Sequence, residues 1–282
     1  MDHNVYKIIY EKMPEMSKSH NKIAQYILQN PNEVPFINVG KLAAQVGVSD
    51  ATVVRFAVYL GFSGYPEFQK HIQSSVQQQL TTRERLEMSK EVYRGDDQGI
   101  FDVLNGDIDN LEMTMKHLNV EDFRKAVGYL LKARNVYIVA NRSAAALGLF
   151  LHYYLDLILD HVEMLDSIEK DADLLFDLQE EDLVIGISYS RYTKSTVDVF
   201  SYAHEKGAST IALTDNLLSP LHQYTDVSLT AASQMPAFID SFVGPLSLIN
   251  ALLIHTAQEK EGGFDKKLET LEYVWDRFNV FY

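Results

Sequence analysis

The chain has 282 residues, of which 46% are hydrophobic and none is cysteine, and its formal net charge at pH 7 is −14. This composition excludes a disulfide framework and a thiolate metal site, and it favours folded domains over disorder. No apolar run approaches the roughly 20 residues that a membrane span needs, and no leader peptide is visible, so we expect a cytoplasmic protein. The length suits two modest domains.

The charge is unevenly distributed along the chain. Residues 1–78 carry seven Lys/Arg and six Asp/Glu, whereas the remainder carries 18 and 33. The acidity therefore belongs to the C-terminal part, which would repel DNA, while the N-terminal part stays near neutral. This asymmetry is compatible with a DNA-binding head.

Helical spacing in the N-terminal part predicts a helix over 5–16, a second over 19–30 with Ser19 as its cap, and a third over 39–46. Gly47 then breaks the chain, and Ser49 is expected to cap a helix over 50–60. The apolar and small residues of this segment follow the helix-turn-helix pattern, in which a small residue lets two helices approach and glycine makes the turn. These residues are Leu42, Ala43, Val46, Gly47, Val48, Val53 and Phe56.

The outer face of the helix over 50–60 is the candidate DNA-reading surface, because the N-terminal outer residues of such a helix enter the major groove. Lys41, Ser49 and Thr52 are placed for phosphates, and Asp50 lies beside them. Ala51 and Val54 suit thymine methyl groups, and Arg55 suits a phosphate or a guanine. The alternative is a helical bundle that uses the same turn for packing only.

A polar stretch over 69–97 is predicted to extend a helix and then form an exposed linker around 95–98. From residue 100 an apolar stripe follows helical spacing, and we expect it to pack on the next domain or on a second subunit. The stripe consists of Ile100, Leu104, Ile108, Leu111, Met115 and Leu118.

The C-terminal part alternates strands and helices, which predicts an α/β domain whose five-stranded parallel sheet is covered on both faces. The predicted strands are 135–140, 162–165, 182–187, 209–213 and 226–229. The predicted helices are 121–132, 144–159, 168–176, 194–206, 239–258 and 265–280.

Two of these strands end in turns that carry hydroxyl groups and an arginine and that open a helix. Anions bind at such places because free backbone N–H groups and the helix dipole point there. The candidate ligand-binding residues of the first turn are Asn141, Arg142 and Ser143. Those of the second turn are Ser188, Ser190, Arg191, Tyr192 and Thr193.

Residues 17–80, especially the runs 48–56 and 60–68, resemble the N-terminal domain of the RpiR family of bacterial transcription regulators. Residues 122–260, through the two turns and the run 212–221, resemble the sugar isomerase (SIS) domain, which binds phosphosugars. The resemblance implies an all-α helix-turn-helix domain over 1–78, a linker over 79–99 and a three-layer SIS-type domain over 100–282. It also implies a homodimer or homotetramer that binds a double-stranded DNA operator and senses a phosphorylated sugar, without a cofactor.

The two turns lack glycines that the SIS pattern carries, and Arg191 stands at one of the glycine positions. Either Arg142 and Arg191 clamp an anion, which a guanidinium suits, or the pocket is closed and Arg191 pairs with an acidic neighbour. We expect retained anion binding.

No catalytic residue and no metal ligand is expected, because the candidate bases lie in no recognisable motif. These are His152, Glu163, His204, His222 and His255. Two alternatives to a ligand-sensing regulator stay open: a phosphosugar isomerase or lyase with a vestigial DNA-binding head, and a ligand-independent dimerisation scaffold.

Overall fold

A computed structural model describes residues 5–30, 34–77, 81–93, 97–165 and 167–281 of the chain. The chain divides into two compact units. The first unit comprises Met1–Asn105 and Gln234–Asp240, and the second comprises Gly106–Ser233 and Ser241–Tyr282. The predicted domain boundaries at residues 78 and 99 stay predictions. Within the described ranges, no helix combines the length and the apolar character that a bilayer crossing requires.

The first unit is helical and has its own apolar core. Its core is built from side chains that recur at helical spacing, among them Ile23, Ile27, Phe56 and Phe68, each of which is fully buried. The helices are α1 (Val5–Lys12), α2 (Lys18–Gln29), α3 (Val39–Val46), α4 (Asp50–Leu60), α5 (Tyr65–Gln77) and α6 (Thr82–Val92), with 3-10 turns at Met13–Glu15 and Val34–Phe36.

The cap of α2 differs from the prediction. Ser17, not Ser19, has the extended backbone of a cap, and its hydroxyl accepts a hydrogen bond from the backbone N–H of His20 at 3.3 Å. Ser19 lies inside the first helical turn, where its side chain has no capping position. The prediction of Ser19 was therefore wrong by two residues, although the helix itself is confirmed.

The stretch that was predicted as a linker contains α6. Thr81 and Glu84 form a capping box at its start: the Thr81 hydroxyl accepts from the Glu84 N–H, and the Glu84 carboxylate accepts from the Thr81 N–H. This reciprocal pair satisfies two backbone donors, so α6 begins sharply in a polar segment. Residues 95 and 96 of the predicted exposed linker lie outside the described residues.

A buried ion pair links α6 to the segment Gln234–Asp240 of the same unit. The Arg85 side chain is 2% exposed, and its Nη2 donates to Asp240 Oδ1 at 2.5 Å and to the backbone oxygen of Ile239 at 3.0 Å. Its Nε has no hydrogen-bond partner within the described part of the chain. Asp240 is the carboxylate that pairs with this buried cation in the described ranges, so its loss should strongly lower the stability of the first unit.

Helix α7 (Asp97–His117) runs from the first unit into the second, and it starts three residues before the predicted stripe. Most residues of the stripe are exposed to solvent: Ile100, Leu104, Ile108 and Met115 are 53–70% exposed. The buried positions of α7 in the second unit are instead polar, Asn110 and Thr114. The stripe therefore does not form the core contact of this helix, and packing on a second subunit remains the prediction for it.

The second unit is a three-layer α/β fold. In the described residues its strands are β1 (Val136–Ala140), β2 (Val162–Leu165), β3 (Leu183–Ile187), β4 (Ser209–Thr214) and β5 (Val227–Thr230). They form one parallel sheet in the order β2-β1-β3-β4-β5, with Ala140 of β1 beside Ile187 of β3. The predicted five-stranded parallel sheet is confirmed.

Helices cover both faces of this sheet. They are α8 (Val120–Lys132), α9 (Ala145–Ile158), α10 (Ile168–Phe176), α11 (Lys194–Glu205), α12 (Val243–Glu259) and α13 (Phe264–Arg277). Alternate strand residues enter two separate cores, since β1 sends Ile138 to the face of α8, α9 and α12 and sends Val139 to the face of α10 and α11. This alternation is the two-sided burial that nearly continuous apolar strands predict.

Asp182, just before β3, is a fully buried carboxylate that accepts four hydrogen bonds and joins the segment before β1 to the segment before β3. Its Oδ1 accepts from Arg134 Nε and Asn135 Nδ2, each at 2.9 Å, and its Oδ2 accepts from Arg134 Nη2 at 2.7 Å and from the Gln179 N–H at 2.9 Å. Desolvation by burial would raise the pKa of Asp182, but the bonds from Arg134, Gln179 and Asn135 outweigh it and lower the pKa.

The start of α12 also differs from the prediction. A helix was expected from residue 239, but residues 233–242 are irregular and α12 begins at Val243. The reason is local: the Ile239 carbonyl accepts from Arg85, and the Ser241 hydroxyl donates to Asp107 of α7. The polar groups of these residues form hydrogen bonds with distant partners and therefore do not form a helical turn.

Gly244, in the first turn of α12, is a point of close approach to α7. A Cβ at this position would lie 2.7 Å from the Thr114 hydroxyl oxygen and 2.7 Å from the backbone oxygen of Ala232. Thr114 itself accepts a hydrogen bond from the Ala232 N–H at 3.0 Å. A methyl group would therefore push apart a hydrogen-bonded contact.

We predict that Gly244→Ala lowers the stability of the second unit by about 1–3 kcal/mol, the usual cost of overpacking. Gly128→Ala is the matched control, because no atom lies within 4 Å of a Cβ there and α8 should gain from alanine. Urea unfolding followed by the fluorescence of Trp275, the single tryptophan, measures both. Equal stability of the two variants would contradict the prediction.

Candidate functional site

The helix-turn-helix segment has the geometry that the sequence predicts. Gly47, between α3 and α4, has φ +73°, and its N–H and that of Val48 both donate to the Ala43 carbonyl at 2.9 Å. Glycine adopts this left-handed conformation without steric cost. The predicted inner face of α4 is buried, with Val53, Phe56, Ala57 and Leu60 at most 4% exposed.

All seven predicted DNA-contacting residues lie on or beside the outer surface of this segment. Val54 is 38% exposed, Thr52 is half-buried, and the other five are exposed: Lys41, Ser49, Asp50, Ala51 and Arg55. Val58, one turn further along α4, is 53% exposed. The accessible face of α4 is thus mostly apolar, which suits contacts with thymine methyl groups better than with phosphates.

Two local contacts shape this face. Ser49 occupies the predicted N-cap position of α4, but its side chain makes no cap hydrogen bond, because its hydroxyl oxygen lies 2.9 Å from that of Thr52. Arg55 Nε donates to the Ala51 carbonyl at 3.2 Å, which orients the guanidinium along its own helix. Burial, and then the nearby Arg55 charge, lower the pKa of His20 on α2.

Lys12 is a basic residue near this face that the pattern did not identify. Its Nζ donates to the Tyr59 carbonyl at 3.0 Å, near the end of α4, and lies 5.4 Å from the centre of the Tyr59 ring. A cation beside the last carbonyls of a helix complements the helix dipole. Lys12 thereby supplies charge at the end of α4 where Val58 and Tyr59 have none.

The two arginine turns of the second unit lie on either side of the point where the strand order reverses. β1 has β2 on one side and β3 on the other, and ligands of open parallel sheets bind at the carboxyl ends of such neighbouring strands. Asn141, Arg142 and Ser143 follow β1, and the run Ser188–Thr193 follows β3. The sheet thus brings both predicted turns to one edge.

Both arginines of these turns have left-handed backbones, with φ +57° at Arg142 and φ +62° at Arg191. For a side chain other than glycine, asparagine or aspartate this conformation is unfavourable by about 1–2 kcal/mol. Asn279, after α13, is the other non-glycine residue with positive φ in the described ranges, and asparagine tolerates it. Both turns therefore have the left-handed backbone that glycine adopts most easily, although the residue at each of these positions is arginine.

The second turn is held by hydrogen bonds to its neighbours. The Ser188 hydroxyl accepts from the Thr193 N–H at 3.3 Å, and the Ser188 carbonyl accepts from the Thr214 hydroxyl at 2.8 Å. Ser190, Arg191, Tyr192 and Thr193 are half-buried. The first turn is tied to α11, since Asn141 Nδ2 donates to the fully buried Thr196 hydroxyl at 2.9 Å.

The helices after both turns begin without a side-chain cap from their N-cap residues, Ala144 for α9 and Thr193 for α11. Both helix starts lie at the edge of the sheet that carries the turns, although the Ala145 N–H of α9 already donates to the Arg142 and Ser143 carbonyls of a 3-10 turn at Arg142–Ala144. Ser143 and Arg142 are exposed there. The arrangement of hydroxyl groups, N–H groups and guanidinium groups suits an anion.

Two residues at this edge, one acidic and one aromatic, were not among the predicted site residues. Asp215, directly after β4, accepts from the Tyr192 hydroxyl at 2.7 Å, and burial together with Asp215 raises the pKa of Tyr192. Tyr189 is 5% exposed, and its hydroxyl has no partner in the described part of the chain. The position of Asp215 after a strand, like that of the two turns, was the signal that could have identified it.

Three of the five candidate bases have contacts elsewhere in the fold. His152 Nε2 lies 3.2 Å from the Val162 carbonyl, the His255 ring packs edge-on against Phe123, and His222 Nδ1 lies 2.9 Å from the Ser228 hydroxyl. Among the residues that the structure describes, no group of three or more His, Cys, Asp or Glu side chains has metal-binding geometry.

Comparison with known protein families gives two matches along the chain. Residues 3–79 match the helix-turn-helix domain of the rpiR family, and residues 129–255 match the SIS domain. A helix-turn-helix transcriptional regulator of Caldanaerobacter subterraneus subsp. tengcongensis is 29% identical over 281 residues, 96% of each chain.

Two solved structures resemble the fold. The sugar isomerase domain of an RpiR transcription factor from Sphaerobacter thermophilus is 31% identical, covering 63% of this chain and 97% of that domain, with a TM-score of 0.58. The Vibrio vulnificus NanR protein, complexed with ManNAc-6P, is 24% identical with a TM-score of 0.58, covering 98% of this chain and 99% of that one. The second likeness concerns the fold alone.

Proposed function

Because the chain belongs to the RpiR family of transcription regulators, with a helix-turn-helix domain and a SIS domain, we propose that it binds an operator and senses a phosphorylated sugar or related anion. The first unit reads DNA through α4, and the second unit binds the effector at the two arginine turns. The protein acts in the cytoplasm, without catalysing a reaction. The observation that carries the proposal is the exposed outer face of α4 on the same chain as a sheet edge that bears hydroxyl groups and two left-handed arginines.

The protein binds its operator as a dimer. A palindromic operator presents half-sites about 34 Å apart or a multiple of this, and one helix-turn-helix reads one half-site. The exposed stripe of α7, which includes Ile100, Leu104 and Ile108, supplies an apolar surface of the kind that subunits bury. The effector acts by binding one state of the dimer better than another, which shifts operator affinity.

DNA binding is tested with duplexes that tile the region upstream of the protein's own gene, using fluorescence anisotropy. We expect Arg55→Ala to weaken binding by about 1–3 kcal/mol for each half-site, because it removes a phosphate or guanine contact. Arg124→Ala, an exposed arginine on α8, is the control and should bind like the wild type. Equal binding by both variants, or no binding to any duplex, would overturn the DNA-binding part of the proposal.

Effector sensing is tested in the same assay by adding sugar phosphates. An effector changes the operator affinity of the wild type. We expect a Ser190→Ala/Arg191→Ala variant to bind the operator as the wild type does, but with an affinity that the effector no longer changes. If the operator affinity of the double variant still changes on addition of the sugar phosphate, the turn after β3 is not the sensor. If no sugar phosphate alters binding or thermal stability, the second unit acts as a dimerisation scaffold.

A further inference from the structure

Helix α9 is apolar on its outer side as well as on the side that faces the sheet. Asp156 is the single acidic or basic residue in its sequence, apart from one histidine. On the inner side Leu155 is fully buried, whereas on the outer side Leu149, Tyr153 and Tyr154 are 63%, 53% and 41% exposed. These three side chains form the α9 outer face. A helix that is apolar all round is normally covered on all sides.

Helix α8, which covers the same face of the sheet, shows the usual pattern instead. It buries Phe123 and Leu130 in the core that it shares with α9, and it exposes Glu121, Arg124 and Lys125. The two helices have equivalent places in the layer, so the sheet does not explain why one of them has an apolar outer side. The difference indicates that α8 faces water and that the α9 outer face meets an apolar partner.

A second apolar surface lies on the C-terminal arm, residues 264–281, which contains α13. The arm is anchored at its start, where Lys267 Nζ donates to the Leu159 carbonyl at the end of α9 at 3.0 Å. Among the 14 residues of α13, all of them described, none is buried. Val274, Phe278 and Phe281 are 40%, 74% and 66% exposed. Since most helical stability comes from packing of the apolar face, this helix is incomplete on the single chain.

Neither the rest of this chain nor a negatively charged surface suits these two apolar surfaces. The runs outside the described ranges are at most four residues long, which is too short to cover them. Helix α13 carries four acidic and three basic residues, and the chain has a net charge of −14. Such a helix has no basic face for an anionic lipid surface or for DNA.

The exposed area matches what a second copy of the chain would cover. At about 150–250 Å² for a whole aromatic side chain, the exposed parts of the six apolar side chains of the arm and the α9 outer face come to roughly 500–700 Å². A standard interface buries about 800 Å² on each partner, including its polar rim. Interfaces between identical subunits are also more apolar than other interfaces, and aromatic residues are enriched in their cores.

We infer that the C-terminal arm of one subunit packs on the α9 outer face of a second copy of the chain, and that the arm of the second copy packs on the first in the same way. A two-fold axis relates the two contacts, so the exchange closes on itself. Phe278 on the arm and Tyr153 on α9 are the aromatic anchors of this interface. The inference goes beyond the proposed function, which uses the stripe of α7 for the operator dimer.

Sedimentation velocity of the full-length protein over a wide range of concentrations measures this association. We expect Phe278→Ser to raise the dissociation constant at least about tenfold, because a two-fold interface contains each truncated aromatic side chain twice. Tyr153→Ser should have the same effect from the other helix. Both side chains are more than half exposed on the single chain, so both variants should fold. Phe176→Ser, at an 80% exposed position on α10, is the control and should associate like the wild type.

Trp275, the single tryptophan, reports on the arm directly, since its ring lies 5.2 Å from that of Phe281. We expect acrylamide to quench its fluorescence less as the protein concentration rises and a second copy covers the arm. In concentrated Tyr153→Ser the quenching should stay at the level of the dilute wild type, although the substitution lies on another helix. Dilute samples of the wild type and of this variant should be quenched equally, because the effect arises between subunits.

The remaining outcomes separate this inference from the proposed function. Unchanged association and quenching in Phe278→Ser and Tyr153→Ser, with association lost in Leu104→Ser/Ile108→Ser, would overturn the inference and leave the operator dimer on α7. A wild type that sediments as a monomer at every concentration would overturn the inference together with the proposed dimer. A protein that associates through the arm but binds no duplex would support the inference and overturn the proposed DNA binding.

Discussion

Asp240→Ala is expected to destabilise the first unit by about 3–5 kcal/mol, the cost of leaving a buried charge without its partner. The Arg85 side chain is 2% exposed and that of Asp240 is 13% exposed. After the substitution, the Ile239 carbonyl would be the remaining partner of the Arg85 guanidinium among the residues that the structure describes. Arg85→Met removes the cation instead, and Asp240 can still reach water, so this single change should cost less.

A double-mutant cycle separates the pair from its surroundings. Arg85→Met/Asp240→Ala should be clearly more stable than the sum of the two single changes predicts, since neither charge remains unpaired. Lys90→Ala is the control on the same helix, because the Lys90–Glu87 pair is 62% exposed on both sides and such pairs contribute little. Hydrogen exchange of the α6 amides measures the local stability, and additive effects of the two changes would contradict the prediction.

Asp182→Ala is expected to destabilise the second unit by about 2–4 kcal/mol, because it removes the acceptor for four hydrogen bonds at a fully buried position. The Gln179 N–H and the Asn135 amide would lose a bonding partner. Arg134 is 42% exposed and can be solvated, so it adds little to the loss. Asp160→Ala, at an exposed position, is the control.

The contribution of Asp182 to the stability of the second unit should decrease at low pH. Its pKa in the folded chain lies below the ordinary value of about 3.9, so its stabilisation is complete above that value and is lost as the pH falls through the folded pKa. The difference in unfolding free energy between wild type and Asp182→Ala should therefore shrink below about pH 4. Urea unfolding followed by Trp275 fluorescence at pH 3 to 7 measures it, and a constant difference would refute the account.

The sequence alone predicted the elements whose signal is local. Apolar runs such as the one over 182–187 predicted buried parallel strands, and the spacing around Gly47 predicted the helix-turn-helix with Phe56 on its inner face. Both are confirmed. These features depend on neighbouring residues and on turn chemistry, which the sequence shows.

Features that depend on distant partners could not be predicted. Arg85 and Asp240 are 155 residues apart, and neither residue type in its local context indicates a buried pair. The same interaction explains why α12 starts at Val243 and not at 239. The apolar stripe of α7 was expected to pack on the next domain or on a second subunit, whereas the buried side chains of α7 within the second unit are Asn110 and Thr114, and Thr114 lies at the close contact with Gly244.

The candidate site was predicted in part. Strand ends and turn composition identified the residues of both turns, but arginine has no preference for a left-handed backbone, so the conformations of Arg142 and Arg191 could not be foreseen. Asp215 was missed for a different reason. Its position directly after β4 was visible in the sequence, but its hydrogen bond with Tyr192, in the turn after β3, was not.

The inclusion of Gln234–Asp240 in the first unit limits how this regulator can be recombined with its relatives. A hybrid protein that takes residues 1–105 from this chain and the remainder from a relative would keep Arg85 but inherit the donor's residue at position 240. Unless that residue is acidic, the head of the hybrid would contain an unpaired buried cation. A hybrid should therefore take the segment Gln234–Asp240 from the same protein as residues 1–105, although this segment is encoded more than 120 codons downstream.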